Sequence, residues 1–365
     1  MRIGHFYIKT GQRSDGSSNV LLALADHQAA AGHEVCLFNW YPDKSPSRVI
    51  KAGSSLENRG LRLAEFQSEL KRLDILHVHS GFYSLKTFLV CVVSFMHGVP
   101  YIYSPHGALN FLKIANSSVK RRVFEHLFAS FVLRNASCVH VFFAEDEGIY
   151  SACGARTLQV IPNGVDFVAF APYQRIREYE AERFHLGFLG SLAIWKKGID
   201  ILVDACYLLP TLGVNNWILT IAGPDRYNEL ASLKARVEKL SLSDRVLFLG
   251  EVNGVGEFLA GLHLLVIPSR FEGFPLVFME ACATGLPVVV TPGTNVMDLV
   301  VRFGLGMVAD FSPNSVARAI AEFYRSPRLL RECSENCLRF AEQYTWPRIA
   351  EEFVGMYRKY ARQAR

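Results

Sequence analysis

The sequence predicts an α/β protein made of two doubly wound, Rossmann-like domains in tandem. Short apolar runs of strand character alternate with amphipathic segments of helical period, and this alternation occurs twice along the chain. The two series are separated by residues 166–183, which lack strand periodicity and end in a charged run. A chain of 365 residues is long enough for two such domains, each with its own core.

The first series occupies the N-terminal half of the chain. A polar, glycine-containing loop over 9–18 leads into an amphipathic helix over 19–31, which Gly32 ends. The predicted strands lie at 3–8, 35–39, 75–78, 101–103, 138–143 and 158–161. This order predicts a parallel sheet, and we assign residues 1–170 to the first domain.

The second series follows the segment 166–183, which we interpret as an interdomain linker. Its strands are predicted at 185–189, 218–222, 246–249, 264–267 and 288–291. We assign residues 171–346 to the second domain and expect the last helix, 347–365, to pack back on the first. Because ligands of open parallel sheets bind beyond the carboxyl ends of the strands, the cleft between the domains is the expected site.

Composition and charge exclude several classes of protein. Half of the residues are hydrophobic and a fifth are charged, which is a folded, globular composition. The net charge of +5 suits anionic substrates or a membrane surface, but it is too small to indicate nucleic acid. The eight cysteines form no pair spaced by two residues, so a zinc site and a redox motif are disfavoured.

The sequence predicts a cytoplasmic protein without a membrane-spanning helix. The N-terminus lacks the apolar region of a signal peptide, and the most apolar segment, 88–96, is too short to cross a bilayer. Residues 119–134 combine an apolar helical stripe with basic residues 120–122 beside it. This pattern fits a peripheral membrane contact, but packing of the stripe on the protein's own sheet is the favoured interpretation.

Residues 268–291 carry the strongest functional signal. Glu272 and Glu280 flank a predicted helix start, with Pro275 suited to the first turn and Gly285 to the residue past the helix end. A helix entered in this way offers free backbone N–H groups to a phosphate, and the Glu280 carboxylate can accept from sugar hydroxyls. An ordinary helix with two glutamates is the favoured interpretation of the pair alone, but the surroundings favour a nucleotide-sugar site.

Other predicted strand ends carry polar groups as well. Lys196 and Lys197 precede a glycine at a predicted helix start and can hold a pyrophosphate, although a solvated turn is the favoured interpretation of these residues in isolation. His106 follows a strand and is a candidate for hydrogen bonding or proton transfer, with a structural loop histidine equally compatible. His77 and His79 are weaker candidates, because at least one of them must point into the core.

The N-terminal loop disfavours a dehydrogenase. Its glycines do not follow the spacing of the dinucleotide-binding fingerprint, in which glycines approach a pyrophosphate at a helix start. The loop can still contact a phosphate or an acceptor.

Taken together, these segments resemble the family-4 retaining glycosyltransferases of the GT-B fold. The resemblance covers nearly the whole chain and is strongest from 161 to 291. It is carried by 161–166, 190–198, 222–224, 248–250 and above all 268–291, and residues 104–107 and 344–346 also fit.

The resemblance implies two Rossmann-like domains facing across a cleft, an acceptor-binding one followed by a donor-binding one. His106 and Glu272 would lie at the reacting sugar, Lys197 would bind the donor pyrophosphate, and Glu280 would hold ribose hydroxyls. The loop containing Gly16 would close over donor and acceptor. The remaining donor contacts would come from Ser191, Lys196, Arg270, Gly273, Phe274, Pro275, Leu276 and Val277. The family needs no metal and no bound cofactor.

The chain departs from the family pattern at three positions. Ser191 stands where the family usually has arginine, so that one phosphate contact is missing unless Lys196 or Arg270 replaces it. Asp15 stands before Gly16 where two glycines are common, and Asp298 stands where a glutamate is usual. These differences concern donor affinity and loop detail and do not indicate an inactive protein.

The function implied is a retaining hexosyltransferase that uses a UDP- or GDP-hexose and a glycan or lipid-linked acceptor in cell-surface polysaccharide synthesis. Without a metal, a lysine and a helix N-terminus must stabilise the leaving diphosphate. The sequence offers no evident nucleophile, which favours attack on the same face of the sugar. One alternative is a sugar-nucleotide epimerase of the same architecture, and another is a non-catalytic nucleotide-sugar-binding protein.

Overall fold

A computed structural model describes residues 1–8, 16–39, 47–50, 58–59, 63–79, 84–106, 128–178 and 183–362. The chain forms two compact units, one of Met1–Gly164 together with Trp346–Arg365, and one of Val165–Thr345. Each unit is built on a doubly wound sheet, which confirms the predicted α/β class. The assignment of acceptor binding to one unit and donor binding to the other stays a prediction.

The first unit contains an eight-stranded sheet with the order β4-β3-β2-β1-β5-β6-β7-β8. The six neighbouring strands β2, β1, β5, β6, β7 and β8 are parallel. Strands β3 and β4 form an antiparallel edge next to β2. The strands are Arg2–Tyr7 (β1), Glu34–Asn39 (β2), Ser47–Ile50 (β3), Asn58–Arg59 (β4), Ile75–His79 (β5), Tyr101–Ser104 (β6), Cys138–Val141 (β7) and Leu158–Val160 (β8). Strands β5, β6 and β7 are buried along their whole length.

Helices of the first unit pack on both faces of this sheet, which explains the continuous apolar runs of its central strands. They are Gly16–Ala30, Leu63–Leu70, Leu85–Met96, a helical stretch over 128–135, Glu145–Ala152 and Trp346–Tyr360. Apolar side chains from these elements form the core, with Phe6, Leu76 and Tyr103 among its fully buried members.

The second unit contains a parallel six-stranded sheet with the order β11-β10-β9-β12-β13-β14. Its strands are Phe184–Leu189 (β9), Trp217–Ala222 (β10), Val246–Gly250 (β11), Leu264–Ile267 (β12), Val288–Val290 (β13) and Gly306–Val308 (β14). Strands β10 and β11 lie on one side of β9, in sequence order toward one edge of the sheet. Strands β12, β13 and β14 lie on the other side of β9, in sequence order toward the opposite edge. The carboxyl ends of β9 and β12 therefore form the switch point at which ligands of such sheets bind.

The helices of the second unit are short around the switch point and longer near the end of the chain. They are Ile194–Lys197, Ile199–Leu208, Leu230–Lys239, Val255–Ala260, Leu276–Ala283, Met297–Phe303, Pro313–Arg325 and Pro327–Gln343. Ser312 and Ser326 cap the last two helices with their side-chain oxygens.

Eleven strands lie within about two residues of their predicted positions, and β3, β4 and β14 were not predicted. These three have four, two and three residues, which is too short for a period-two pattern to be recognised. Strand β7 ends at Val141, two residues before its predicted end.

Within the segment interpreted as a linker, residues 166–178 are part of the second unit. Arg177 is fully buried there, and its guanidinium donates to the carbonyl oxygens of Arg175 and Leu259. The backbone N–H of Arg177 also donates to the hydroxyl oxygen of Ser334 at 2.8 Å. Burial lowers the pKa of Arg177 to about 9. The charged run at 175–183 therefore contains a buried anchor, which charge patterning alone does not reveal.

The C-terminal helix Trp346–Tyr360 packs on the first unit. Phe353 is buried, with its ring centroid 4.8 Å from that of His140 and 5.6 Å from that of His77. Just beyond the helix, the Arg362 guanidinium donates to the carbonyl oxygens of His97 and Gly98. These contacts satisfy carbonyl groups at the end of the helix Leu85–Met96.

We expect Phe353→Ala to lower the free energy of unfolding by about 3–5 kcal/mol, because it leaves a cavity between the helix and the sheet. Urea unfolding followed by circular dichroism measures the change. Glu351, exposed on the same helix, provides the control, since Glu351→Ala should change the value by less than about 0.5 kcal/mol. A loss below about 1 kcal/mol for Phe353→Ala would show that the helix does not depend on this contact.

Candidate functional site

Loops at the carboxyl edge of the second sheet approach one another very closely. Gly223, which follows β10, has φ +137°, and a Cβ placed there would lie 1.8 Å from the carbonyl oxygen of Gly190, which follows β9. Gly293, which follows β13, lies tightly against Arg270, since a Cβ placed there would fall 2.3 Å from the Arg270 carbonyl oxygen. Only glycine permits these approaches, so the sequence itself allows four loops to meet at the switch point.

A buried carboxylate with two lysines forms the centre of this edge. Glu272 is only 5% exposed, and its Oε1 receives Lys197 Nζ and, at 2.9 Å, the hydroxyl of Ser269. Lys196 Nζ lies 3.9 Å from Oε2 of the same carboxylate. Burial lowers the pKa of Lys196, while the charge of Glu272 opposes that effect. The structure thus brings three residues predicted for the site together.

The loop that carries Glu272 is held from the side of β13. The Glu272 N–H donates to the carbonyl oxygen of Gly293 at 2.7 Å, and Asn295 Nδ2 donates to the Glu272 carbonyl oxygen at 2.7 Å. Asn295 adopts φ +60°, a left-handed conformation that asparagine tolerates better than most residues. Sequence reasoning missed Asn295, although an asparagine just after a buried strand is a signal for such a turn.

The helix Leu276–Ala283 begins immediately after this loop. Pro275 is extended, with φ −71° and ψ 113°, and no side chain in the described part of the chain caps the helix N-terminus. Free N–H groups and the positive end of the helix dipole therefore follow Glu272 and its lysine partners within four residues along the chain, and both features favour an anion. Gly285 follows the helix end with φ +71°, as the sequence predicts.

Glu280 lies one turn inside this helix. Burial raises its pKa from 4.5 to about 7. The carboxyl group is therefore close to half protonated near neutral pH, and hydrogen-bond donors placed against it would favour the ionised form. A ligand with hydroxyl groups would supply such donors.

Arg270 and Ser191 have local contacts of their own. The Arg270 guanidinium forms a bidentate pair with Asp200, at 2.8 and 2.7 Å, and the backbone N–H of Arg270 donates to the Lys196 carbonyl oxygen at 2.8 Å. Arg270 thus connects the loop after β12 to the short lysine-bearing helix. The carbonyl oxygen of Ser191 accepts from the N–H of Ala193. Donor contacts of Arg270 and Ser191 stay predictions.

In the first unit, five histidines collect near the carboxyl ends of neighbouring strands. His77 and His79, two residues apart on β5, point to the same face of the sheet and are both buried, with ring centroids 3.8 Å apart. His5 on β1 and His140 on β7 are buried beside them, and His106 follows β6 with a left-handed φ of +49°. Sequence reasoning singled out His77, His79 and His106 and missed the others, because their meeting depends on strand order.

Burial keeps four of these histidines neutral. It lowers the pKa of His5 to about 4 and that of His140 to about 3, and it lowers the pKa values of His77 and His79 well below 6.5. Ring nitrogens of His5, His77 and His79 lie within 4.8 Å of one another, close enough to share a metal ion. Each ring nitrogen of these three has a hydrogen-bond partner in the described residues.

Several predicted features lie outside the described residues. Gly16 is the first residue of the helix Gly16–Ala30, but residues 9–15 of its loop are not described, and neither is the basic part of the stripe at 119–134. Within the described ranges, no helix combines the length and apolar character needed to cross a membrane.

Two family models match the chain. The model of the glycosyl transferases group 1 matches residues 173–339, and that of the glycosyl transferase 4-like domain matches residues 15–164. The first match covers β9 to β14 and the second covers most of the first unit.

Curated relatives match at moderate identity. A lipopolysaccharide core biosynthesis mannosyltransferase, LpsB of Rhizobium meliloti, is 34% identical over 170 residues, covering 44% of this chain and 48% of that protein. A D-inositol 3-phosphate glycosyltransferase of Actinosynnema mirum is 26% identical over 82% of this chain and 75% of that protein. The chain spans about half the length of the first of these relatives.

Solved structures share the fold over nearly the whole chain. Sucrose-phosphate synthase from Thermosynechococcus elongatus aligns with a TM-score of 0.77 at 19% identity, covering 98% of each chain. Anabaena HepE in complex with UDP and glucose aligns with a TM-score of 0.75 at 20% identity, covering 98% of this chain and 100% of that one. At this identity the likeness concerns the fold, which is GT-B.

We expect Glu280→Gln to stabilise the protein above neutral pH and to have little effect near pH 4.5. As the pH rises from about 4.5 to about 7, the unfolded chain releases the Glu280 proton first, so the wild type loses stability that the glutamine variant keeps. The difference in the free energy of unfolding should reach about 2–3 kcal/mol at about pH 8. Chemical denaturation across this pH range measures it.

Glu257, exposed on the helix Val255–Ala260, provides the matched control. Glu257→Gln makes the same substitution at an exposed position and supplies the reference profile against which Glu280→Gln is compared. Parallel pH profiles for wild type and Glu280→Gln would contradict the assigned environment of Glu280.

Proposed function

This chain belongs to the family of glycosyl transferases group 1, and from that premise we propose that it is a retaining hexosyltransferase. It transfers a hexose from a UDP- or GDP-sugar to a glycan or lipid-linked acceptor. The observation that carries the proposal is the group formed by Lys196, Lys197 and Glu272 beside the uncapped start of the helix Leu276–Ala283.

The donor diphosphate binds where positive charge is concentrated in the second unit. Lys197 and the N–H groups at the start of the helix Leu276–Ala283 provide charge-assisted donors for its oxygens. When the bond between sugar and phosphate breaks, negative charge grows on the diphosphate. Fixed donors at that place stabilise the departing group without a metal.

Glu280 binds the ribose of the donor. A carboxylate accepts hydrogen bonds from two neighbouring hydroxyls, while the protonated acid has less acceptor capacity. The raised pKa of Glu280 in the ligand-free protein means that donor binding draws the group toward its ionised form. This coupling favours a ligand that carries paired hydroxyls.

Glu272 faces the sugar with its carboxylate already engaged. Lys197 and Ser269 both contact Oε1, and Lys196 lies near Oε2. A carboxylate held by so many partners is a weak nucleophile, which supports attack on the same face without a covalent intermediate. The acceptor oxygen bonds to the anomeric carbon as the phosphate leaves, and the acceptor proton passes to the departing phosphate oxygen.

Named relatives support the donor and acceptor classes. Among them are a GDP-mannose-dependent phosphatidylinositol dimannoside mannosyltransferase of Mycobacterium tuberculosis and a UDP-Gal galactosyltransferase of Escherichia coli that acts on a diphosphoundecaprenol-linked sugar. The names of these two relatives support a UDP- or GDP-hexose donor and a lipid-linked acceptor for this chain. Cell-surface glycan synthesis is the corresponding role for this chain.

An exposed apolar face in the first unit supports peripheral contact with the inner face of the membrane, where lipid-linked acceptors are held. The helix Leu85–Met96 exposes Leu85, Leu89, Phe95 and Met96, the last of them to 75%. Apolar side chains on the outer face of a helix favour an interface with lipid over water.

Incubation of the protein with a panel of UDP- and GDP-hexoses tests the function. We expect release of the nucleoside diphosphate with one donor, and a transferred or hydrolysed sugar that keeps its anomeric configuration when followed by NMR. Isomerised donor without release of the diphosphate would instead identify an epimerase. Absence of turnover and of transfer across the panel and a set of glycan and lipid-linked acceptors would contradict the proposal.

We expect Lys197→Met to weaken binding of the nucleoside diphosphate about tenfold to hundredfold, because a charge-assisted hydrogen bond contributes about 1.5–3 kcal/mol. Isothermal titration calorimetry measures the affinity. Lys234, exposed on the helix Leu230–Lys239, is the matched control, and Lys234→Met should bind as the wild type does. An affinity within about twofold of wild type for Lys197→Met would refute the assigned phosphate contact.

A further inference from the structure

The helix Ile194–Lys197, from here on the lysine helix, has only four residues and carries both Lys196 and Lys197. The N–H of Gly198 donates to the Ile194 carbonyl oxygen at 2.9 Å and closes its single turn. A helix of this length is unstable alone, because ordering its first turn costs more free energy than one hydrogen bond contributes. The position of the two ammonium groups therefore depends on contacts that neighbouring loops make with this helix.

Loops of the second unit hold the lysine helix at both ends. At its start, the N–H of Ile194 donates to the carboxylate of Glu229, which precedes the helix Leu230–Lys239. At its end, Gly198 adopts φ +65° and lies against the loop that follows β12. A Cβ at Gly198 would fall 2.0 Å from the Pro268 carbonyl oxygen, so only glycine permits this approach.

Arg270 contacts the carbonyl groups of the same helix. Its guanidinium Nη1 donates to the Ile194 carbonyl oxygen at 2.9 Å, and its backbone N–H donates to the Lys196 carbonyl oxygen at 2.8 Å. Asp200 accepts from Nη1 at 2.8 Å and from Nη2 at 2.7 Å. A bidentate pair fixes the plane of a guanidinium. Asp200 therefore determines where the Arg270 side chain meets the lysine helix.

We propose that Asp200 and Arg270 are positioning residues for Lys197, and that through the lysine helix they hold the Lys197 ammonium group where the donor diphosphate binds. The inference rests on the proposed function, in which Lys197 contacts that diphosphate. It differs from the direct phosphate contact that the sequence predicts for Arg270. Both hydrogens of Nη1 are engaged, one by the Ile194 carbonyl oxygen and one by Asp200, and the carboxylate balances the guanidinium charge.

The two roles of Arg270 predict opposite effects when Asp200 is removed. If Arg270 binds a phosphate directly, Asp200→Ala frees a cation and removes a negative charge, so the diphosphate binds more tightly. If the pair positions the lysine helix, Asp200→Ala leaves Arg270 without its fixed plane, so the diphosphate binds more weakly. The sign of the change in affinity therefore separates direct contact from positioning.

Isothermal titration calorimetry measures this sign with UDP or GDP, whichever binds the wild type. We expect Asp200→Ala to bind the diphosphate at least about threefold more weakly, with a smaller loss than removal of the Lys197 contact itself causes. Affinity for the monophosphate of the same nucleoside should stay within about twofold, because Lys197 contacts the terminal phosphate. An unchanged or tighter diphosphate affinity would overturn the proposal. So would equal losses for the two nucleotides, which indicate a general loss of structure.

Asp204 provides the matched control on the same helix, Ile199–Leu208. It also forms a bidentate pair, with Arg236 of the helix Leu230–Lys239, and the Arg236 Nε lies 2.7 Å from its carboxylate. Asp204→Ala removes the same charge and the same kind of ion pair. We expect it to bind the diphosphate within about twofold of the wild type. A loss as large as that of Asp200→Ala would overturn the proposal.

A double variant tests whether Asp200 acts through Lys197. In a Lys197→Met background, Asp200→Ala should change the diphosphate affinity by less than about twofold, because the group that it positions is already gone. The same loss with and without the lysine would show that Asp200 acts independently of Lys197, and would overturn the proposal.

Hydrogen exchange tests the contact without a ligand. We expect the Gly198 amide, which closes the lysine helix, to exchange at least about threefold faster in Asp200→Ala than in the wild type. In Asp204→Ala it should exchange as in the wild type. Unchanged exchange of this amide in Asp200→Ala would overturn the proposal.

The positioning and the proposed function fail separately in these experiments. If the wild type binds neither UDP nor GDP, the proposed function is wrong, and the exchange of the Gly198 amide decides whether the pair holds the lysine helix. If the wild type binds a diphosphate and Asp200→Ala binds it as tightly or more tightly, the positioning is wrong and the proposed function stands.

Discussion

The second unit depends on one physical constraint, a carboxylate, Glu272, that is buried against two lysines. The Glu272 carboxylate is buried away from water, and a buried carboxylate must be paired and hydrogen-bonded. Its partners Lys197 and Ser269 come from loops after different strands, β9 and β12, which only the switch point brings together. The tight loop contact at Gly293 belongs to the same arrangement, because the Gly293 carbonyl oxygen accepts from the Glu272 N–H.

In the first unit, buried polar groups are stabilised by hydrogen bonds between neutral side chains and not by ion pairs. Its four buried histidines, His5, His77, His79 and His140, are kept neutral by burial and are hydrogen-bonded to one another and to neighbouring polar groups, so no counter-ion is needed. Such networks specify one arrangement only when every member is satisfied. The C-terminal helix supplies Tyr357 to this network, which explains why a helix from the end of the chain belongs to the first unit.

Local signals in the sequence predicted much of the fold and part of the site. Buried strands, the Pro275 and Gly285 boundaries and the lysines before a glycine all depend on neighbours within a few residues. The bidentate pair of Arg270 with Asp200 and the hydrogen bonds that connect Gln28, His5, His79 and His106 depend on strand order instead. Residues 5, 28, 79 and 106 are polar positions within or beside apolar runs, and no local pattern shows that they meet. The short strands β3, β4 and β14 are recognised only through their pairing.

A crystal structure of the protein with a bound nucleoside diphosphate tests the central claim most directly. The account predicts a terminal phosphate within hydrogen-bonding distance of Lys197 Nζ and of the N–H groups of Leu276 and Val277, with the ribose hydroxyls on Glu280. A diphosphate bound at the carboxyl edge of the first sheet, or one that leaves Lys197 and the helix start without contact, would contradict it.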